Sequence, residues 1–122
     1  NAIHTDNAPA AIGHIAGYRS KWFCFCIWSD SYRPATGNFV EGGIKEQTRQ
    51  SLTNALNILK AAGTDLSHVV KTTVYLNSMD DFAAMNEVYA EFFSQPYPAR
   101  SAVAVEKLPK GALVEVEVLA AK

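Results

Sequence analysis

This chain predicts a two-layer α+β sandwich, a mixed sheet with two helices on one face, and three observations carry that expectation. Strand-like runs alternate with two stretches of helical periodicity, in the order strands, helix, strand, helix, strands. Each helical stretch is apolar along one stripe only, so it covers a sheet on one side and meets solvent on the other. The 122 residues, 48% of them hydrophobic, contain no internal repeat, low-complexity tract or linker-like composition, which predicts a single domain over 1–122 with an ordinary core.

Taken in order, the run Trp22-Phe23-Cys24-Phe25-Cys26-Ile27-Trp28 is aromatic and β-prone and predicts a buried strand over 21–28. Its two cysteines, at i and i+2, point to the same face and rarely suit a mutual disulfide; they read as small buried apolar residues. Arg33-Pro34-Ala35-Thr36-Gly37-Asn38 is a turn, with Pro fixing φ and Gly allowing φ > 0. Gly42-Gly43 then opens a helix on which Ile44, Thr48, Leu52, Ala55, Leu56, Leu59 and Ala62 recur at helical spacing, with Gly63 as its C-cap. A second core strand runs over 68–76. Ser78-Met79-Asp80-Asp81 has the form of a capping box and starts a second helix, whose stripe is Phe82, Met85, Val88, Tyr89, Phe92 and Phe93. Pro96 and Pro98 end it.

The last quarter predicts a hairpin, 98–105 and 108–118, joined at Pro109-Lys110-Gly111. Alternation puts Val114, Val116 and Val118 on one face and Glu115 and Glu117 on the other. If Ser101, Val103 and Val105 pack with those valines, Arg100, Ala102 and Ala104 share the second face with both glutamates. Such a face, a guanidinium facing two carboxylates across small side chains, suits binding a small anion and positioning a water. Ala102 and Ala104 also permit close approach of another subunit, so the uncovered sheet face reads as an oligomer interface.

A net charge of -1 argues against bulk attraction to nucleic acid or anionic membrane. No apolar run approaches the roughly 20 residues of a spanning helix, and no basic-then-apolar leader is visible, so the cytoplasm is the default compartment. His4, His14 and His68 are scattered and lie at no metal-ligand spacing, so no metal is expected.

The ordered set Asn7-Ala8-Pro9, Pro34-Ala35-Thr36-Gly37, Glu46-Gln47-Thr48-Arg49-Gln50, Val70-Lys71-Thr72-Thr73-Val74, Asn86-Glu87-Val88-Tyr89, Pro98-Ala99-Arg100-Ser101, Leu108-Pro109-Lys110-Gly111 and the Glu115-Val116-Glu117 strand resembles the reactive-intermediate deaminase (RidA/YjgF, perchloric-acid-soluble protein) family. The resemblance implies a chorismate-mutase-like fold assembled as a homotrimer, with clefts between subunits. It also implies hydrolysis of 2-aminoacrylate-type enamines and imines to 2-oxo acids and ammonia, with no metal or organic cofactor. By that resemblance Arg100 binds the substrate carboxylate, Glu115 helps position the attacking water, and Asn86 matches a cleft asparagine. Residues 14–33 depart from the family pattern; Tyr18 and Ser29 are the candidate replacements for its cleft tyrosine and serine. Two other readings are a ribonuclease or translation inhibitor, which the charge balance opposes, and a non-catalytic small-carboxylate-binding or chaperone-like trimer.

Overall fold

The computed structural model describes residues 1–9, 17–27 and 31–122, with 25–27 described by their backbone only. Six strands form one sheet: β1 (Ala2–Ile3), β2 (Gly17–Arg19), β3 (Phe23–Ile27), β4 (Val69–Leu76), β5 (Ala99–Ala104) and β6 (Val114–Ala121). Their spatial order is β1-β2-β3-β6-β4-β5, antiparallel throughout except for the parallel pair β4–β5. Two helices, α1 (Ile44–Ala61) and α2 (Phe82–Phe92), cover one face of it. The α+β sandwich with a mixed sheet is as the sequence predicts.

Helix α1 starts where glycine is required. Gly42 has φ +112, and a Cβ there would lie 2.5 Å from Cγ of Glu46. That glutamate folds back so that its Oε2 accepts the Gly43 N–H at 2.8 Å, satisfying a donor the first helical turn leaves without a partner. Gly63, at φ +85, follows the last turn as expected. A short 3-10 turn precedes α2, and the Ser78 hydroxyl caps it by accepting from the Asp80 N–H. Leu52, Ala55, Ile58 and Leu59 of α1, with Met85 and Tyr89 of α2, pack on Val74, Leu76, Val114, Val116, Val118 and Ala120. Lys45–Glu87 (2.6 Å) and Arg49–Glu91 (2.7 Å) link the solvent sides of the two helices; such exposed pairs contribute little.

Helix α1 also buries a polar side. Gln47, Thr48, Ser51 and Asn54 are buried; Thr48 donates back to the Ile44 carbonyl of its own helix, and the other three hold the segment after residue 30. The Ser31 hydroxyl donates to the Gln47 carbonyl (2.9 Å) and lies 3.2 Å from that of Ser51. Asn54 Nδ2 donates to the Tyr32 carbonyl (2.9 Å), and its Oδ1 accepts from Gln50 Nε2 (2.8 Å). Gln47 Oε1 accepts the Leu113 N–H (2.9 Å), tying the entrance of β6 to the helix.

The terminal hairpin is not formed. β4 lies between β5 and β6, so these two strands never pair. The physical reason is the helix between β4 and β5: a strand reached through a helical crossover returns parallel to the one before it. In that register Arg100, Ala102 and Ala104 stand beside Thr72, Val74 and Leu76, whose other neighbours are Val118, Val116 and Val114. Arg100 is therefore on the helix-covered face. Glu115 and Glu117 share the uncovered face with Tyr75, Thr73, Ser101 and Val103, so the single face carrying both the guanidinium and the carboxylates does not exist within one protomer. The strand predicted over 21–28 begins only at Phe23, with Trp22 left two-thirds exposed ahead of a fully buried Cys24.

Replacing Asn54 by Ala leaves the Tyr32 carbonyl without this donor, and is expected to cost about 2 kcal/mol in urea unfolding. The surface change Lys60→Ala should stay within about 0.5 kcal/mol. A second expectation concerns Asp65, whose carboxylate accepts from the Ser67 hydroxyl, His68 Nδ1 and the Ser67 N–H; these bonds lower its pKa to about 2. A group depressed in the fold stabilises above its unfolded value, so this cap's contribution is complete above about pH 5 and lost as pH falls through 2. Carboxyl-carbon NMR titration should show Asp65 titrating near 2, below the ordinary aspartate range.

Candidate active site

Arg100 is the second residue of β5, and β5 is an edge strand. Beneath it, Phe82, Asn86 and Tyr89 lie four and three residues apart along α2, which aligns them as one stripe. The Arg100 guanidinium lies 4.6 Å from the Tyr89 ring centre and 5.4 Å from that of Phe82, inside the range where a cation is attracted to an aromatic face. Its Nη1 donates to Asn86 Oδ1 at 2.6 Å. Among the described residues no carboxylate pairs with it. Of the five N–H donors of a guanidinium, Asn86 takes one.

Those remaining donors open onto a cleft of about 420 Å³ lined by Asn86, Tyr89, Ala90, Tyr97, Pro98 and Arg100. Two aromatic rings and a proline give it apolar walls, and the guanidinium and the asparagine amide give it polar ends. Tyr89 is buried, packs at 4.5 Å on Phe93, and its hydroxyl lies 2.7 Å from Thr72 Oγ1. Burial raises its pKa, while the Thr72 bond and the Arg100 cation oppose the rise; the phenol stays protonated at neutral pH. An Arg held by an aromatic face and an amide, with no acid to neutralise it, is chemically a receptor for a small carboxylate.

The structure thus brings Arg100 and Asn86 together and leaves Glu115 and Tyr18 on the other face of the sheet. Glu115 stands opposite Tyr75 on the uncovered face, partly buried. Tyr18, about half exposed, is also on that face, two strands from β6 and level with Leu119. That places it about 10 Å across and about 13 Å along the sheet from Glu115. Ser29 lies outside the described residues. Sequence reasoning missed Tyr89 and Phe82 as site residues by assigning both wholly to the core stripe, and it missed Tyr97. The available signal was spacing: both aromatics sit on the same helical stripe as Asn86. Among the described residues no cluster of three or more His, Cys, Asp or Glu could hold a metal ion.

Residues 29–122 match the family described as endoribonuclease L-PSP. A RutC family protein of Pyrococcus horikoshii is 50% identical over 121 residues, 98% of this chain and 96% of that protein. The 2-iminobutanoate/2-iminopropanoate deaminase of Capra hircus is 44% identical over 122 residues, 97% of this chain and 87% of that protein. Among solved structures, E. coli TdcF with bound serine superposes with a TM-score of 0.94 at 36% identity, covering 100% of this chain and 98% of that one.

Proposed function

The chain belongs to the endoribonuclease L-PSP family, also called YjgF/RidA, and from that premise we propose that it hydrolyses 2-imino acids and their 2-enamino tautomers to 2-oxo acids and ammonia. The observation that carries this reading is the Arg100 guanidinium, stacked on Tyr89, held by Asn86 and opening onto the cleft with no carboxylate partner among the described residues. It anchors the substrate carboxylate through a bidentate pair, while Asn86 fixes the plane of the fork. A protonated imine is already electrophilic. Water adds to its carbon as a base takes the water's proton, the tetrahedral adduct passes a proton to nitrogen, and C–N cleavage releases ammonia and the 2-oxo acid.

Glu115 is our choice for that base. Because it and Arg100 lie on opposite faces of the sheet, a substrate touching both must lie between two copies of the chain, which supports a homotrimer with clefts between subunits. The uncovered face of exposed Val103, Tyr18 and Phe23 is the surface such an assembly would bury. A net charge of -1 gives RNA no bulk electrostatic attraction to the surface, so the deaminase is preferred to the ribonuclease reading.

Arg100→Ala should lower turnover of freshly generated 2-aminoacrylate at least 10-fold with the fold intact, and Arg100→Lys should also fail substantially, since a point charge lacks the fork. Unchanged turnover in Arg100→Ala would remove the anchor role. Glu115→Gln should bind 2-oxobutanoate as wild type does while turnover falls roughly 100-fold. Co-expressing Arg100→Ala with Glu115→Gln chains should restore part of the activity, because some clefts then combine an intact Arg100 with an intact Glu115 from a neighbour. No recovery in verified mixed oligomers would contradict a shared site.

A further inference from the structure

Thr72 breaks a pattern. After the irregularity at its start, the β4 residues facing the helices are Thr72, Val74 and Leu76, all essentially buried, and a valine would fill the position of Thr72 equally well. A buried hydroxyl is costly unless it is bonded, so a threonine among aliphatic neighbours implies that the bond has a use. Its partner is the Tyr89 hydroxyl at 2.7 Å. The ring carrying that hydroxyl is the one on which the Arg100 guanidinium lies. Arg100 is in turn the register neighbour of Thr72 across the β4–β5 pair.

These contacts close a circuit. From the Arg100 backbone it passes to Thr72, through Oγ1 to the Tyr89 phenol, along the ring to the guanidinium, and back to the Arg100 backbone through the arginine's own stem. Asn86, one turn before Tyr89 on α2, fixes the guanidinium edge in the same helix frame. We propose that Thr72 and Tyr89 are positioning residues for the carboxylate anchor: their hydroxyl pair sets the height and tilt of the Tyr89 ring, and through it the direction in which the Arg100 fork points. An edge strand that shifts against α2 would otherwise carry the guanidinium with it. The pair locks the strand that holds the arginine to the helix that holds its aromatic face. This rests on the anchor reading of Arg100 and extends it to two residues that do not themselves need to touch substrate.

The test uses the full-length protein, titrated with 2-oxobutanoate and assayed on 2-aminoacrylate well below its melting temperature. Thr72→Val keeps the shape and loses the bond; it should weaken 2-oxobutanoate binding and raise KM about 5- to 20-fold, with kcat within twofold. Tyr89→Phe, which keeps the ring, should do the same. Thr72→Ser, which keeps the hydroxyl, should restore both values to within twofold of wild type. The double variant Thr72→Val with Tyr89→Phe leaves no polar group unpaired, so its melting temperature should return toward wild type while its affinity stays weak. Wild-type affinity in the folded double variant would overturn the positioning role, provided that Arg100→Ala abolishes binding in the same titration. If Arg100→Ala also binds normally, the anchor reading falls and the positioning role with it.

Discussion

A strand that follows a helical crossover comes back parallel to the strand it left, and the parallel pairing of β5 with β4 governs most of what this molecule presents to a ligand. Parallel register places Arg100 beside Thr72 on the helix side of the sheet, where α2 supplies an amide and two aromatic rings at one helical spacing. Had β5 paired with β6 instead, the same arginine could have met the glutamates across the ladder and been neutralised by them. The cation keeps its capacity for an external anion because the topology keeps its own carboxylates on the other side of the sheet.

Helices and central strands were legible because their signals are local. Leu52, Ala55 and Leu59 repeat at helical spacing and are buried as they read, with Ile44 and Leu56 of the same stripe only partly so, and Val114, Val116 and Val118 alternate cleanly into the core. Pairing partners were not legible in the same way. Two alternating runs separated by Pro109-Lys110-Gly111 look like a hairpin, and only the helix between β4 and β5 signals that another strand separates them. The candidate site split along the same line. Arg100 and Asn86 meet because α2 and β5 are successive elements, whereas bringing Glu115 to the same substrate requires a contact that no intrachain pattern encodes. Tyr89 was hidden for a different reason: its ring does belong to the core, and its second task is visible only once the guanidinium above it is placed.

The polar side of α1 shows how a helix can serve two kinds of neighbour. Its aliphatic stripe faces the sheet, while Asn54 takes up the Tyr32 carbonyl, Gln47 the N–H at the entrance to β6, and the Ser51 hydroxyl and the Gln47 carbonyl meet the Ser31 hydroxyl. Buried backbone groups of irregular chain need partners, so the helix supplies one donor and one acceptor side chain in place of a sheet partner. A periodicity reading scores these positions as interruptions of the apolar face. They are the means by which a non-repetitive segment is fixed against a regular one.

The edge position of β5 has a consequence for the life of the newly made chain. Beyond Ser101 and Val103 there is no further strand among the described residues, and an edge that is short of charge invites pairing with any extended segment it meets. Arg100 is the only charged side chain along it, and its head is turned aside onto α2. Left uncovered, that edge is the part of the sheet most open to misassociation. In the proposed assembly, solubility and subunit encounter become one kinetic problem: selection for rapid encounter would protect the proteome from this chain as much as it would build a cleft.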